Sequence, residues 1–287
     1  MSDNPRPLDE TLYSLDEDEI QLLKSKTGIT NDDELRKHVM KVQADIYAAL
    51  LRLGQERPGA LFLDMACCVG NDVRKAIADG FPMNQALASD LHPGKSAFTT
   101  PPKTNWPYIM TIIEFWAAGH QLFNTTQETF PVPFIPGDAF DPAFLKPSPI
   151  PGVKPSEPLP PLATLTSLTP LIGRLSAVHA SSFFHLFPED KQLQLARLLA
   201  PLLSPEPGSM LFGAHGGLSQ KGLRERQNSH GVPMFCHSPE SWKDLWETQI
   251  FSPGQVRVDA FLQQRIRKDL PAESRSFFLV WSVTRLW

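Results

Sequence analysis

The sequence predicts an α/β protein: one open, mostly parallel sheet of seven strands with flanking helices and a helical cap ahead of it. Three observations carry that expectation. Residues 60–64 form an apolar run of strand length ending on an acid, and the small residues Ala66, Cys67, Cys68, Val69 and Gly70 then lead into a helix from about Asn71. A second such run, residues 85–90, also ends on an acid, twenty residues beyond Gly70. Further apolar runs alternate with helical patterns until two strands close the chain. In such a sheet the turn after the first strand lies at the carboxyl edge. Small side chains there admit a ligand to the backbone, and the next helix offers free N–H groups.

Composition bounds the function. The chain has 287 residues, 41% hydrophobic and 20% charged, as a globular protein does. Its net charge is −4 and it has no basic run, so nothing electrostatic points to nucleic acid. Residues 1–20 are acidic without an apolar core, which is not a signal-peptide pattern, and no apolar stretch reaches the ~18–20 residues of a membrane span. Three cysteines, two adjacent, make no disulfide framework. The expectation is a cytoplasmic protein with a small-molecule partner, with homodimerisation left open.

Taken in order, residues 1–15 read as a tail and residues 16–287 as one domain. Residues 16–56 form the helical cap: a helix starting at 14–19, then one over about 31–53 carrying Leu35, Val39, Val42, Ile46 and Leu50 at helical spacing. The first strand is followed by a helix at about 72–80 and a second strand at 85–90. Residues 94–113, rich in Pro and Thr, interrupt the pattern before a helix at 114–123. Strand three and its exit are expected at 134–140, and a semi-rigid proline-rich connection at 142–161. Strand four is expected at 173–180, a helix opened by Pro188 follows, and strand five is expected at 208–215. The glycine-containing residues 216–236 are expected to cover the substrate. A helix from Ser238 through Trp242, Leu245 and Trp246 precedes the final strands, 256–261 and 277–283.

The segment Asp64-Met65-Ala66-Cys67-Cys68-Val69-Gly70-Asn71-Asp72-Val73-Arg74-Lys75 resembles motif I of class I S-adenosylmethionine (SAM) methyltransferases. More narrowly it resembles the D-x-G/A-C-C-x-G-x-D-x-R-x-L form of fungal secondary-metabolite methyltransferases, including those of meroterpenoid pathways. Residues 88–91, 137–141, 179–187 and 237–242 resemble further segments of that family, in its order. The resemblance implies a Rossmann-like class I methyltransferase fold with SAM as cofactor. It implies a cofactor turn at Asp64, Ala66, Cys67, Gly70 and Asn71, and a carboxylate at Asp138 for the adenine amino group, with Ala139 and Phe140 flanking the ring. His179 and Ala180 would complete the cofactor edge. Asp90, with Leu91 beside it, stands where a carboxylate suits a ribose diol, or else caps a turn. In the family a helix of the type H-P-E-F-W-x-x-G-x-x-L-F follows the second strand almost at once. Joining Pro93 to Glu114 restores that pattern, and residues 94–96 and 113–114 can be encoded with GGTAAGT and ATAGAG. Residues 94–113 therefore read as a translated intron or an insertion.

Methyl transfer is an in-line displacement, for which proximity supplies much of the rate. A hydroxyl acceptor wants a base, for which His179 is the candidate, whereas a carboxylate needs none. Cys67 and Cys68 are expected to pack beside the cofactor and not to act as nucleophiles, and Trp116, Trp242 and Trp246 to be core. No metal is expected, because His215, His230, Cys236 and His237 lack zinc-type pair spacing. The expected activity is O-methylation of a carboxyl or hydroxyl on a small apolar secondary metabolite; the relatives resembled form methyl esters. The alternative is a catalytically impaired SAM-binding homologue with a scaffold or regulatory role. A nicotinamide dehydrogenase is disfavoured because residues 66–70 do not continue as G-x-G-x-x-G.

Overall fold

A computed structural model describes residues 24, 29–91, 112–224, 233–265 and 276–287. The expected tail (1–15), the expected helix start at 14–19, and nearly all of residues 94–113 lie outside the described residues. In chain order the elements are α1 (Asp32–Glu56), β1 (Leu61–Met65), α2 (Asn71–Ala78), β2 (Ala86–Asp90), α3 (Ile112–Leu122), β3 (Phe134–Pro136), β4 (Leu175–His179), α4 (Glu189–Leu199), β5 (Met210–Gly217), β6 (Gly222–Arg224), β7 (Met234–Cys236), α5 (Pro239–Asp244), β8 (Val256–Arg265) and β9 (Ser276–Arg285).

Seven strands form one sheet in the order β3-β2-β1-β4-β5-β9-β8. β1 to β5 run parallel, and β9 is antiparallel to both β5 and β8. This is the mostly parallel sheet with flanking helices that the sequence predicts, including a reversed last strand. Both faces are covered, so the strands read as near-continuous apolar runs. Alternate residues of β1 go to opposite faces. Phe62 packs with Leu50, Val73, Phe81 and Trp116. Leu63 and Met65 pack on the other face with Val178, Leu195, Trp242 and Trp281. All three tryptophans expected as core are buried there.

Local chemistry sets the element boundaries. Asn31 caps α1 by accepting from Glu34 N–H at 3.0 Å, with Asp32, Asp33 and Glu34 in the first turn. Ser238 and Ser241 form a reciprocal capping box around Pro239 at the start of α5.

Several expectations need correction. β5 runs on to Gly217, because Gly216 and Gly217 continue pairing with Phe278 and Phe277 of β9. Residues 216–236 are therefore not simply a covering loop: β6 and β7 form an antiparallel hairpin, and Gly217 bridges to His237. The helix beyond Trp242 loosens into a π-helix over Leu245–Ile250. α3 starts at Ile112, two residues ahead of the expected Glu114. No helix among the described residues is long and apolar enough to cross a membrane.

Candidate functional site

The carboxyl edge of β1, β2 and β3 is braced by backbone groups. After β1 the chain turns sharply, with Ala66 at φ 59°, Cys68 at φ 52° and Gly70 at φ 74°. Left-handed backbone costs an L-residue about 1–2 kcal/mol, and such strain collects where structure is fixed for a purpose. Three backbone hydrogen-bond donors hold it. Cys67 N–H donates to Ser89 carbonyl at 3.2 Å, Cys68 N–H to the Asp90 carboxylate at 2.8 Å, and Gly70 N–H to Cys67 carbonyl at 2.7 Å. Gly70 is required twice over: besides its φ, a Cβ there would lie 2.7 Å from the Trp116 ring.

Asp90 ties three segments together. Its carboxylate accepts from Cys68 and Leu91 N–H, and its carbonyl accepts from Gly137 N–H at 2.8 Å. Burial pushes this carboxyl up, against the pull of those two N–H groups. Asp138, one residue on from Gly137, accepts from Phe140 N–H through Oδ1 at 2.9 Å. Phe140 meets Phe187 edge-on at 5.0 Å, with Lys191 above it at 5.1 Å. Asn71 stands exposed in the first turn of α2.

Beneath this edge lies a polar pair. Asp64, 1% exposed, accepts from Val73 N–H at 3.2 Å through Oδ2, so it caps α2 from below. Its Oδ1 lies 2.8 Å from His179 Nδ1, and His179 Nε2 lies 2.8 Å from Ser181 Oγ, which accepts from Ala214 N–H at 3.1 Å. Burial alone would lower the His179 pKa; the hydrogen bond and charge of Asp64, with the charge of Asp72, outweigh it and hold the imidazole above its ordinary range. Ligand atoms of Asp64, Asp72 and His179 lie within 4.8 Å of one another, close enough to weigh as a metal set. Both nitrogens of His179 are, however, already hydrogen-bonded, and a cation would have to displace one partner.

The sequence-predicted residues thus divide. Asp64, Ala66, Cys67, Gly70, Asn71, Asp90, Leu91, Asp138 and His179 are brought to one edge. Ala139 and Ala180, next in sequence to Asp138 and His179, are buried, and Phe140 is half-buried. The Cys67 thiol is pushed well up by burial, with Asp64 and Asp90 adding to it, and Cys68 is raised chiefly by burial, so neither is a thiolate at neutral pH. His230 lies outside the described residues.

Beyond β4 and β5 the environment changes. A cavity of about 130 Å³ is lined by Ser182, His185, Gly216, Arg224, Met234, Phe277 and Phe278. His185 Nδ1 accepts from Gly216 N–H at 3.1 Å, so the neutral ring carries its proton on Nε2. Burial, helped by Arg224, pushes His185 down to about 4. His215, fully buried, accepts from Trp281 Nε1–H at 2.9 Å and is pushed well down by burial. His237 is likewise pushed down to about 4, and its Nδ1 pairs with Ser241 Oγ at 2.9 Å. Ser181 and Arg224 escaped the sequence reading. Ser181 could have been found from its place two residues after His179; no local pattern marks Arg224.

Residues 8–50 match a family described as meroterpenoid methyltransferase N-terminal domain. The chain is 31% identical to O-methyltransferase phiE of a fungal species (strain ATCC 74256), over 65% of this chain and 48% of that protein. It is 25% identical to the Asnovolin E/Chermesin D methyltransferase nvfJ of Aspergillus novofumigatus, over 70% of this chain and 54% of that one. A SAM-dependent methyltransferase from Mesorhizobium loti aligns with 84% of this chain and 96% of its own at 15% identity, with a TM-score of 0.46. The chain thus has fungal methyltransferases among its relatives, and it spans about half the length of these two.

Proposed function

We propose that this chain binds SAM across the carboxyl edge of β1, β2 and β3 and transfers its methyl group to a carboxyl or hydroxyl oxygen of a small apolar secondary metabolite. The observation that carries the reading is the brace at Asp90, which joins the turn after β1 to the end of β2 and the exit of β3. Each carboxylate oxygen has accepting capacity beyond its backbone donor, which is what a ribose diol needs. Small residues at 66–70 leave the turn's backbone approachable. The relatives' names support the reaction class.

When bound, SAM supplies an electrophilic methyl on a sulfonium. The chain's own part is to hold the acceptor oxygen in line and to keep water away. His179 reaches the open edge through Ser181, so a proton from a hydroxyl acceptor would leave by way of that serine.

The test is transfer of labelled methyl from SAM to a panel of apolar carboxylic acids and phenols. An extractable labelled product is expected. Intact cofactor binding with no product from any member of the panel favours the impaired homologue. Residues 94–113 favour that alternative, since they separate Asp90 from the helix that follows it in the family. We read those twenty residues as a translated intron within a single domain. A mature transcript lacking the sixty nucleotides is expected; one encoding all twenty residues contradicts it.

A further inference from the structure

The cavity beyond β4 and β5 contains a cation that has no counter-charge among the described residues. Its lining, Ser182, His185, Gly216, Arg224, Met234, Phe277 and Phe278, includes no carboxylate. Arg224 Nη2 is buried without a hydrogen-bond partner, and Nη1 has only the Met234 sulfur, at 3.9 Å. Among the described residues Arg224 forms no ion pair. A half-buried guanidinium left unpaired loses hydration and recovers nothing, so such groups are normally met by an anion. The cavity also holds other donors. His185 has its proton on Nε2, since Nδ1 accepts from Gly216, and Ser182 brings a hydroxyl to the same space. Ser182 sits at φ 51°, a strained backbone held by its own N–H on Ala214 carbonyl at 2.7 Å. It follows Ser181, the residue on which the Asp64–His179 pair ends, so the cavity adjoins the cofactor edge.

We propose that Arg224, with His185 and Ser182, forms the subsite for a carboxylate on the methyl acceptor, and that Arg224 sets the preference for an acid over its neutral counterpart. The proposal rests on the methyltransferase reading and adds to it the residues that receive an acid. The planar fork of a guanidinium matches a carboxylate bidentately. A neutral His185 donates without competing for the acceptor's negative charge, and the ionised acceptor needs no base. A site built around a buried cation rejects a ligand that leaves that cation unpaired. Arg224 is a positioning residue: it orients the acceptor and takes no part in bond making.

The experiment is calorimetric titration of the full chain, saturated with S-adenosylhomocysteine, with 2-naphthoate and with the isosteric neutral 2-naphthamide. Wild type is expected to bind naphthoate at least tenfold more tightly than the amide. Arg224→Gln should abolish that preference while binding of S-adenosylhomocysteine and of the amide changes less than twofold. Arg224→Lys, which keeps the charge, should retain part of the preference and guards against a misfolded glutamine variant. Equal binding of acid and amide by wild type, or an undiminished preference in Arg224→Gln, overturns the proposal; so does a lysine variant with no more preference than the glutamine one. If wild type fails to bind S-adenosylhomocysteine, the cofactor reading falls. The same naphthoate and naphthamide titrations run without it still decide the role of Arg224.

Discussion

The two halves of the sheet's carboxyl edge are held by opposite means. Around β1, β2 and β3 the backbone does the holding: N–H groups of Cys67, Cys68 and Gly137 lock on Ser89 and Asp90, and a buried hydrogen-bonded pair, Asp64 with His179, sits beneath. Around β5, β7 and β9 aromatic packing does it. Phe184, Trp242 and Trp281 enclose His215, which is kept neutral by burial, and Trp246 stacks on Trp281. A polar brace suits a ligand held by hydrogen bonds, and a dry aromatic wall with neutral imidazoles suits an apolar one.

The sharpest way to break the first half is Gly70→Ala. The substitution forces an L-residue into left-handed backbone at about 1–2 kcal/mol and drives a methyl into Trp116, for about 1–3 kcal/mol more. A loss of about 2–5 kcal/mol is expected in denaturant unfolding. The Trp116 contact should make it costlier than Gly59→Ala, where φ is 69° but no atom lies within 4 Å of the added Cβ.

Acid separates the halves by sign. His185 and His237, folded at about 4, bind fewer protons than the unfolded chain below its histidine pKa near 6.5. Their share of stability is present above about pH 6.5 and lost as pH falls towards 4, at most about 3 kcal/mol each by linkage. His179 is raised, so its pairing with Asp64 is fully present below about pH 6.5 and lost as pH rises through its folded value. Unfolding free energies measured from pH 4 to 9 should therefore show His237→Asn flattening the acid limb and His179→Asn flattening the neutral-to-alkaline limb. Identical profiles for the two variants would erase the distinction.

The smallest effect tests strain. Ala66→Gly removes the left-handed penalty at φ 59° and loosens the unfolded chain. A net gain of about 0.5–1 kcal/mol is expected in thermal unfolding, and a loss would show that Ala66 is not strained.

Much of the first half was legible in the sequence because its signals are local. An apolar run ending on Asp64, small residues to Gly70, and a second run ending on Asp90 all lie between residues 60 and 90. The second half depends on pairings that no local pattern encodes. β6 and β7 are three residues each, too short to show a period, and Gly216 extends β5 only because Phe278 stands opposite. Arg224 acquires meaning only once that hairpin sets it beside His185. The π-helix after Trp242 is a tertiary outcome, with Trp242 and Trp246 both turned onto Trp281.

The central claim is that the brace at Asp90 is a cofactor cradle. Calorimetric titration of the purified chain with S-adenosylhomocysteine, beside Asp90→Ala, tests it most directly. Micromolar binding that weakens tenfold or more in the variant, about 1.4 kcal/mol, is the predicted result. Wild-type binding that Asp90→Ala leaves unchanged, or no binding by either protein, would contradict it.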